Sequence, residues 1–343
     1  MINKRATSID VAKLAGVSQS TVSRTFTPGA TVSESARQKV LAAADELGYQ
    51  PNAIARSLSK QHTNIVGIIM GRITSPFHPY VLEKVIKELQ GAGKQALLFS
   101  TPPESKVDDL FELVLQYQVD ALLVTSATMS PEMADVCARN GTPVVLFNRN
   151  VLGANVNAVC CDNVEAGRLV ANVLVDAGHR KLAFIEGKAN RSTTRDRKKG
   201  FIDRLQERGH VDVAAEGGDH TYEAGFTAAL KLLDRDDPPD AIFCASDNAA
   251  LGAMDAARHE LGIRIPDELS IVGFGDISAA AWSSYSLTTI RMPVNRMIDA
   301  AVEVLLNQQN EPANGPVFKL IPGTLIARNS ARLPDGFTNP APM

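Results

Sequence analysis

Three polar side chains near the start of the chain are of types that can read nucleic-acid bases. Gln19, Ser20 and Arg24 fall on the outward face of a short predicted helix, because Val22 and Phe26, at i and i+4, take the buried face. A glutamine amide can bond an adenine edge, an arginine can bond O6 and N7 of guanine, and a serine can bond bases or phosphates. The pattern indicates a DNA-reading helix, and an ordinary helical hairpin with a solvated face is the alternative.

A helix-turn-helix would hold these side chains in position. The spacing of Val11, Leu14 and Ala15 predicts an apolar stripe on a first helix that starts at about position 7 or 8. Gly16 is predicted to end this helix, and Ser18 to cap the next one. Two short helices joined by a tight glycine turn, with a polar face on the second, have the form of a DNA-binding helix-turn-helix.

A third helix and a short linker follow. Amphipathic spacing after Ser33 predicts a helix that stops at Gly48 and closes a three-helix core. Pro51 then prevents helix continuation, and residues 53–58 have room for only about a turn and a half of helix. Isolated helices below about 12 residues are marginal in water. We therefore expect this linker helix to form only when a partner binds it.

Charge and composition set the class of protein. Residues 1–62 hold eight lysines and arginines against four acidic residues, a net charge of +4, whereas the remainder of the 343-residue chain has −7. A basic module on an acidic body suits a polyanion-binding head. The beginning of the chain has no apolar signal segment and no run is long enough to span a bilayer, so the expected location is the cytoplasm. The four cysteines form no CxxC pair, which argues against a disulfide framework or a zinc site.

The body of the chain alternates short apolar runs with amphipathic helices, as expected of parallel strands that are buried on both faces. Two series of such runs predict two doubly wound lobes, with a small-molecule site in the cleft between them. The predicted strands are 65–70, 96–100, 121–125 and 143–147 in the first lobe, and 181–187, 214–217, 241–245 and 269–274 in the second.

The segments IDVAKLAGVSQSTVSR, VSESARQKVLAAADELGY and PNAIARSL resemble the headpiece and hinge of the lactose-repressor (LacI/GalR) family, and motifs such as ASDNAALGAM and DELSIVGFGDI extend the resemblance over nearly the whole chain to residue 330. The resemblance implies a ligand-controlled dimeric repressor that binds a palindromic operator, with an all-α helix-turn-helix headpiece in front of an α/β core like that of periplasmic binding proteins. The implied limits are 1–50 for the headpiece, 51–63 for the hinge helix and linker, 64–330 for the core and 331–343 for a disordered tail. Within the core, the N-lobe takes about 64–160 and 293–321, and the C-lobe about 161–292 and 322–330.

The resemblance also assigns DNA contacts. Gln19, Ser20 and Arg24 match the family's base-reading positions. The phosphate contacts are Ser18, Thr21 and Ser33, and the hinge contacts are Asn52, Ala55 and Leu58. Leu58 matches an apolar wedge that enters a minor-groove base step, which would kink the duplex.

The resemblance also assigns effector-binding positions, with two departures from the family's usual residues. The matching positions are Phe77, Asn148, Arg191, Thr193, Arg197 and Ser246, and the nearby Arg72 and Asp276 complete the expected effector site. Asn148 stands where the family usually has an acid, and Gly275 replaces the usual first carboxylate of the motif, which leaves Asp276 as its structural second acid. The loss of acids beside Arg72, Arg191, Arg195 and Arg197 favours an anionic effector, such as a phosphorylated sugar or a sugar acid. Surface ion pairs around a neutral-sugar site are the alternative.

Other classes of function fit the sequence less well. No GxxxxGK[ST], GxSxG or HExxH motif is present, and no GxGxxG follows the first strand, so the sequence predicts neither an enzyme nor a cofactor or metal site. A solute-binding protein that does not bind DNA would explain the core. It would not explain the basic headpiece.

Overall fold

The computed structural model describes residues 6–27, 29–51, 62–71, 77–100, 110–125, 129–151, 156–310 and 315–339. The chain divides into two compact units, Met1–Thr63 and Asn64–Met343. No helix in the described ranges is both long and apolar enough to cross a bilayer.

The first unit contains three helices, α1 (Ser8–Ala15), α2 (Gln19–Thr25) and α3 (Glu34–Glu46). Serines cap the last two: the Oγ of Ser18 accepts from the backbone N–H of Thr21, and the Oγ of Ser33 accepts from that of Ala36. Gly16 ends α1 in the left-handed conformation, with φ of 65°, which costs glycine little.

The core of the first unit is small and aliphatic. Val11, Val22 and Val40 are completely buried at its centre. The predicted stripe on α1 is wrong at Leu14, which is 47% exposed, because Ala12 takes the inward position beside Val11. The predicted helix-turn-helix and third helix are confirmed.

The second unit is an α/β core. Its strands are β1 (Ile65–Met70), β2 (Gln95–Ser100), β3 (Ala121–Thr125), β4 (Val144–Phe147), β5 (Asn157–Cys161), β6 (Leu182–Ile185), β7 (Ala214–Glu216), β8 (Ala241–Cys244), β9 (Ser270–Gly275), β10 (Thr288–Arg291), β11 (Phe318–Ile321) and β12 (Thr324–Ile326). Its helices are α4 (Phe77–Gly91), α5 (Phe111–Gln116), α6 (Pro131–Arg139), α7 (Asn163–Asp176), α8 (Ser192–Glu207), α9 (Tyr222–Leu233), α10 (Asp247–Asp255) and α11 (Val294–Asn310).

Two six-stranded sheets organise this unit into an N-lobe and a C-lobe. The N-lobe sheet is parallel throughout, in the order β11-β5-β4-β3-β1-β2. The C-lobe sheet has the order β12-β10-β9-β8-β6-β7, in which only β12 runs antiparallel to its neighbour. The chain passes from one sheet to the other after β5, after β10 and after β11. The two doubly wound lobes predicted from the apolar runs are confirmed.

Close packing of α7 on α8 fixes the helix that borders the cleft. A Cβ atom on Gly167 would overlap the backbone of α8 at Arg197 and Phe201, and a Cβ on Gly200 would overlap the backbone of Val164. Glycine at both contacts lets the two backbones approach directly. The N-terminus of α8 is thereby held at the cleft.

The C-terminal segment corrects one prediction. The sequence predicts a disordered tail from residue 331, but residues 331–339 pack on the C-lobe: the backbone N–H of Arg332 donates to Ser270 Oγ at 2.9 Å, and the amide of Asn339 bonds both the N–H and the carbonyl of Ala327. Phe337 packs against the large core. Prolines limited the regular structure of this segment but did not prevent these tertiary contacts.

Candidate nucleic-acid interface and effector cavity

The outward face of α2 carries the predicted base-reading side chains. Gln19, Ser20 and Arg24 are exposed, and the Nε2 of Gln19 donates to Ser8 Oγ at 3.0 Å, which leaves its carbonyl oxygen free to accept. The Oγ of Ser18 lies 2.8 Å from that of Ser20 and 2.9 Å from that of Thr21. The face therefore presents an amide, hydroxyls and a guanidinium group together.

Ser33 is exposed at the start of α3. Backbone N–H groups at the first turn of a helix attract anions, so Ser18 and Ser33 stand where phosphates can be bound. Four predicted contacts, Asn52, Ala55, Leu58 and Arg72, lie outside the described residues.

A cavity of about 150 Å³ lies between the lobes of the core. Six of the predicted effector residues line it, namely Phe77, Asn148, Arg191, Thr193, Arg197 and Ser246. Most of its walls are ends of elements: the first residues of α4, α8 and α10, and the residues that follow β4 and β9. The structure therefore brings together residues that are distant in sequence.

Two arginines give this cavity its charge. Arg149 and Arg191 both line it, and neither guanidinium group forms an ion pair or hydrogen bond within the described part of the chain. Burial, and then the nearby Arg191, lower the pKa of Arg149 to about 9. Burial also lowers the pKa of Arg191, although the nearby Asp219 acts in the opposite direction. Both groups are still protonated at neutral pH. The site therefore holds two partly desolvated positive charges, and the buried Arg197 and Asp247 line it as well.

Two histidines in the same wall remain neutral. Burial, followed by repulsion from Arg191 and Arg149, lowers the pKa of His78 to about 4. Burial, followed by Arg197, Arg191 and Arg149, lowers the pKa of His220 to about 3. The arginines alone therefore supply the positive charge of the cavity at neutral pH.

Asn148 offers an unused acceptor to a ligand. Its backbone has a φ of 56°, and its side-chain Oδ1 is buried without a hydrogen-bond partner. A buried acceptor without a donor costs about 1–3 kcal/mol. Thr193 and Ser246 add hydroxyl groups nearby, although the Oγ of Ser246 also caps α10.

Three other predicted residues are engaged within the protein. Arg197 is buried, donates to Asn163 Oδ1 at 2.8 Å and to the Ala245 carbonyl at 2.6 Å, and stacks on the Phe274 ring. Asp276 does not line the 150 Å³ cavity; its carboxylate accepts from Arg291 and Arg328, both at 2.6 Å. Asp276 lines an adjoining cavity that shares Phe77 and Met292 with this one, and its role as an effector contact stays a prediction.

The third engaged residue is Arg195, which bonds Asp196 and Asn150 instead of facing the cavity. The anion-binding group predicted around Arg191, Arg195 and Arg197 is thus reduced to Arg191, and Arg149 joins it.

The sequence reasoning missed Arg149, His78, His220 and Asp247. Arg149 follows Asn148 directly at the carboxyl end of β4, which is a signal that could have found it. His220 precedes α9 and belongs to no periodic pattern in the sequence; its side chain lines the cavity, and its backbone has a φ of 54°. Among the described residues, no group of three or more His, Cys, Asp or Glu side chains could hold a metal ion.

Family models match both units. One described as bacterial regulatory proteins, lacI family, matches residues 9–52, and one described as a periplasmic binding protein-like domain matches residues 171–331.

Individual relatives extend these matches. The chain is 33% identical to the HTH-type transcriptional repressor PurR of Photobacterium profundum, over 94% of this chain and 98% of that protein. The lac repressor dimer bound to operator and the anti-inducer ONPF superposes with a TM-score of 0.87 at 26% identity, over 95% and 99% of the two chains. The complex of the transcriptional regulator CelR with cellobiose gives 0.71 at 28% identity, over 95% and 100%.

Proposed function

The chain belongs to the LacI family of bacterial regulatory proteins, and we propose that this DNA-binding transcriptional repressor responds to a small anion. The anion that binds its effector-binding core is either a phosphorylated sugar or a sugar acid. The observation that carries this proposal is the pair Arg149 and Arg191, which face one cavity and whose guanidinium groups form no ion pair or hydrogen bond among the described residues. Two like charges in a partly desolvated site favour a ligand that neutralises both. Planar guanidinium groups suit the paired oxygens of phosphate or carboxylate.

The sugar part of the ligand is supported by the neutral groups of the cavity. The unpartnered Oδ1 of Asn148 can accept a hydrogen bond from a ligand hydroxyl, and the hydroxyl of Thr193 can donate to or accept from another ligand hydroxyl. Phe77 is half-buried and provides apolar surface for the ring, and the buried Phe147 and Phe274 lie in the wall behind. A neutral sugar would use these groups equally well, but it would leave both guanidinium groups without an ion pair. We therefore favour the anionic effector.

The first unit supplies the DNA contacts in this proposal. Gln19, Ser20 and Arg24 read bases, and Ser18, Thr21 and Ser33 hold phosphates. Two copies, paired as in the lac repressor dimer, place their recognition helices on the half-sites of a palindromic operator in the cytoplasm. The hinge residues Asn52, Ala55 and Leu58 contact the minor groove. The effector acts at a distance by preferring one arrangement of the lobes.

The effector class is tested by calorimetric titration with glucose 6-phosphate and gluconate, compared with glucose. We expect heat from at least one anion and its loss in Arg149→Gln and Arg191→Gln. Arg139→Gln, at an exposed arginine outside the cavity, serves as the matched control. Binding of glucose alone, unaffected by either cavity variant, would reject the anionic class.

The DNA function is tested by gel shift with promoter fragments from the neighbouring genes. We expect a specific shift that changes when effector is added. Replacement of residues 53–58 by a glycine-serine spacer should abolish the specific shift, because the hinge could then no longer form a helix on DNA. An equally tight complex with the spacer would contradict the role given to the hinge.

A further inference from the structure

The first turn of α8 forms part of the wall of the first cavity, the one of about 150 Å³ that Arg149 and Arg191 line. Ser192, Thr193 and Thr194 open this helix, and each of them is at most 8% exposed. Arg191, at the N-cap, contributes no side-chain acceptor, and no other described residue accepts a hydrogen bond from the three N–H groups. Backbone donors at a helix start are normally satisfied by a cap, by water or by a ligand. This buried turn therefore requires an acceptor that the described residues do not supply.

The hydroxyl of Thr193 is a further donor on this turn. Thr193 lines the cavity although it is buried, and its Oγ1 forms no hydrogen bond within the part of the chain that the structure describes. The guanidinium groups of Arg149 and Arg191 line the same space without an ion pair to any described residue. A helix N-terminus attracts anions through its N–H groups and its dipole. Backbone, hydroxyl and guanidinium donors therefore line one space for an anion.

α10 also begins at this cavity, but its N-terminus is occupied by the protein itself. Ser246 Oγ caps the first turn by accepting from the N–H of Ala249 at 3.4 Å, and Asp247 adds a buried carboxylate to the same turn. A carboxylate at this end of α10 repels an incoming anion. The anion is therefore expected on α8.

The charge of the lining matches a dianion. Its charged side chains are Arg149, Arg191, Arg197 and Asp247. Three positive charges against one negative charge leave a net charge of +2, since His78 and His220 are neutral at pH 7. Two carboxylates nearby are already paired, Asp219 with Lys188 and Asp196 with Arg195. A phosphate monoester carries about −1.5 to −2 at pH 7, whereas a sugar acid carries a single negative charge.

The number of donors also favours phosphate over carboxylate. Each guanidinium group is a planar fork that suits two oxygen atoms, so the two arginines satisfy a carboxylate completely. A phosphate monoester has a third terminal oxygen. That oxygen gives an acceptor to the N–H groups of α8 and to the hydroxyl of Thr193.

We propose that the effector is a phosphate monoester whose dianionic group lies on the first turn of α8, bound by the backbone N–H groups and the Thr193 hydroxyl of that turn and by Arg149 and Arg191. The inference rests on the proposed function, and of its two anions it selects the phosphorylated sugar. It also assigns the Thr193 hydroxyl to the phosphate instead of a ring hydroxyl.

Three small anions test this site without a sugar ring, so the result does not depend on which sugar the protein binds. Methyl phosphate has three terminal oxygens and two charges, methyl sulfate has three oxygens and one charge, and acetate has two oxygens and one charge. Thermal unfolding of the full-length protein at about pH 7.5 and constant ionic strength, titrated with each anion, gives the dissociation constants. We expect methyl phosphate to bind at least about tenfold more tightly than acetate, with methyl sulfate between them.

Thr193→Val removes the hydroxyl and keeps the branched shape of the side chain. It should weaken the binding of methyl phosphate at least about fivefold and leave that of acetate unchanged, because acetate has no third oxygen for this hydroxyl. Thr193→Ser should restore the affinity, and Thr227→Val, at an exposed threonine outside both cavities, should not change it. Arg149→Gln should weaken the binding of all three anions, since they share the arginine pair.

Acetate that binds as tightly as methyl phosphate, with both weakened in Arg149→Gln, overturns the phosphate and leaves the anionic effector standing. Equal affinity for methyl sulfate and methyl phosphate overturns the dianion. An unchanged affinity of Thr193→Val for methyl phosphate overturns the site on α8. No stabilisation by any of the three anions, or stabilisation that Arg149→Gln leaves unchanged, overturns the proposed anionic effector as well.

Discussion

At the scale of single residues, the guanidinium group of Arg149 is a largely buried positive charge that forms no ion pair among the described residues of the ligand-free protein. Burial and Arg191 lower the pKa of Arg149 to about 9, against 12.5 for a solvated arginine. A pKa shift measures the free energy by which the fold disfavours the charged form, so this guanidinium group destabilises the ligand-free protein. Binding function and stability are opposed at this residue.

We predict that Arg149→Gln stabilises the ligand-free protein by about 1–2 kcal/mol, since the amide removes a buried charge and keeps a polar group. Urea unfolding without ligand measures the change, with Arg139→Gln as the exposed control. The same variant should gain nothing from added phosphate, whereas the wild-type protein should. A loss of stability in Arg149→Gln without ligand would mean that the guanidinium group has a counter-charge after all.

His220 makes stability depend on pH. Burial and three arginines lower its pKa to about 3, below the 6.5 of an exposed histidine. Between these two pH values the histidine is protonated in the unfolded chain and neutral in the folded chain. Stability from this residue is complete above pH 6.5 and is lost as pH falls towards 3. At pH 5 the loss should reach about 2 kcal/mol.

We predict that His220→Asn reduces this loss between pH 7 and pH 5. Asparagine accepts the positive φ of 54° at this position and has no titrating group. Thermal or urea unfolding at the two pH values gives the comparison, and His259→Asn, at a side chain that is 73% exposed, is the control. Parallel pH profiles for wild type and His220→Asn would assign the acid sensitivity to other groups.

At the scale of elements, prediction succeeded where one pattern decides the structure. The strands from β1 to β4 are continuous apolar runs, and the helices α2 and α3 begin with capping serines, so local sequence was sufficient. Four strands, β5, β10, β11 and β12, were not predicted. The last two strands of the chain owe their places to pairing with distant strands, β11 with β5 and β12 with β10. The tail after residue 330 was judged from its prolines, while its order comes from contacts with distant residues.

The residues of the candidate site also fall into two groups, those that local sequence predicts and those that depend on tertiary contacts. Asn148, Arg191 and Ser246 stand at motif positions and could be predicted, whereas the pairing of Arg149 with Arg191 depends on how β4 and α8 meet across the cleft. The local sequence of Arg195 resembles that of Arg191 and Arg197, and only the structure shows that Asp196 and Asn150 hold it.

Substitutions at Ser33 can distinguish its two roles, the capping of α3 and the predicted contact with a DNA phosphate. We predict that Ser33→Ala weakens both, with a stability loss of about 1 kcal/mol, because the cap of α3 is removed. Ser33→Asp should keep the cap and the stability but weaken operator binding at least about tenfold, because its charge repels a phosphate. Gel shifts and thermal unfolding of the two variants give the test. If Ser33→Asp binds the operator as tightly as the wild-type protein does, Ser33 does not contact a DNA phosphate.

At the scale of the whole molecule, the response to effector depends on what holds the lobes together. Asn150, which follows β4 of the N-lobe, is bonded to α8 of the C-lobe: its backbone N–H donates to Ser192 Oγ at 3.2 Å and its Nδ2 to Asp196 Oδ2 at 3.1 Å. Its Oδ1 accepts from Arg195 at 2.8 Å. The contact lies beside the first cavity, so it favours the lobe arrangement in which Arg149 and Arg191 face the same ligand.

We predict that Asn150→Ala shifts the lobes towards a more open arrangement by removing two of these hydrogen bonds, each worth about 1 kcal/mol net. Effector affinity should fall by about tenfold or more, and the radius of gyration from X-ray scattering should increase. Because a ligand and a variant act on the same equilibrium, Asn150→Ala should change operator affinity in the direction opposite to that produced by effector. Asn140→Ala is the control, since that amide bonds only the carbonyl of Val136 within its own helix. A change of operator affinity in the same direction as effector would mean that the ligand favours the open lobes and that Asn150 opposes its binding.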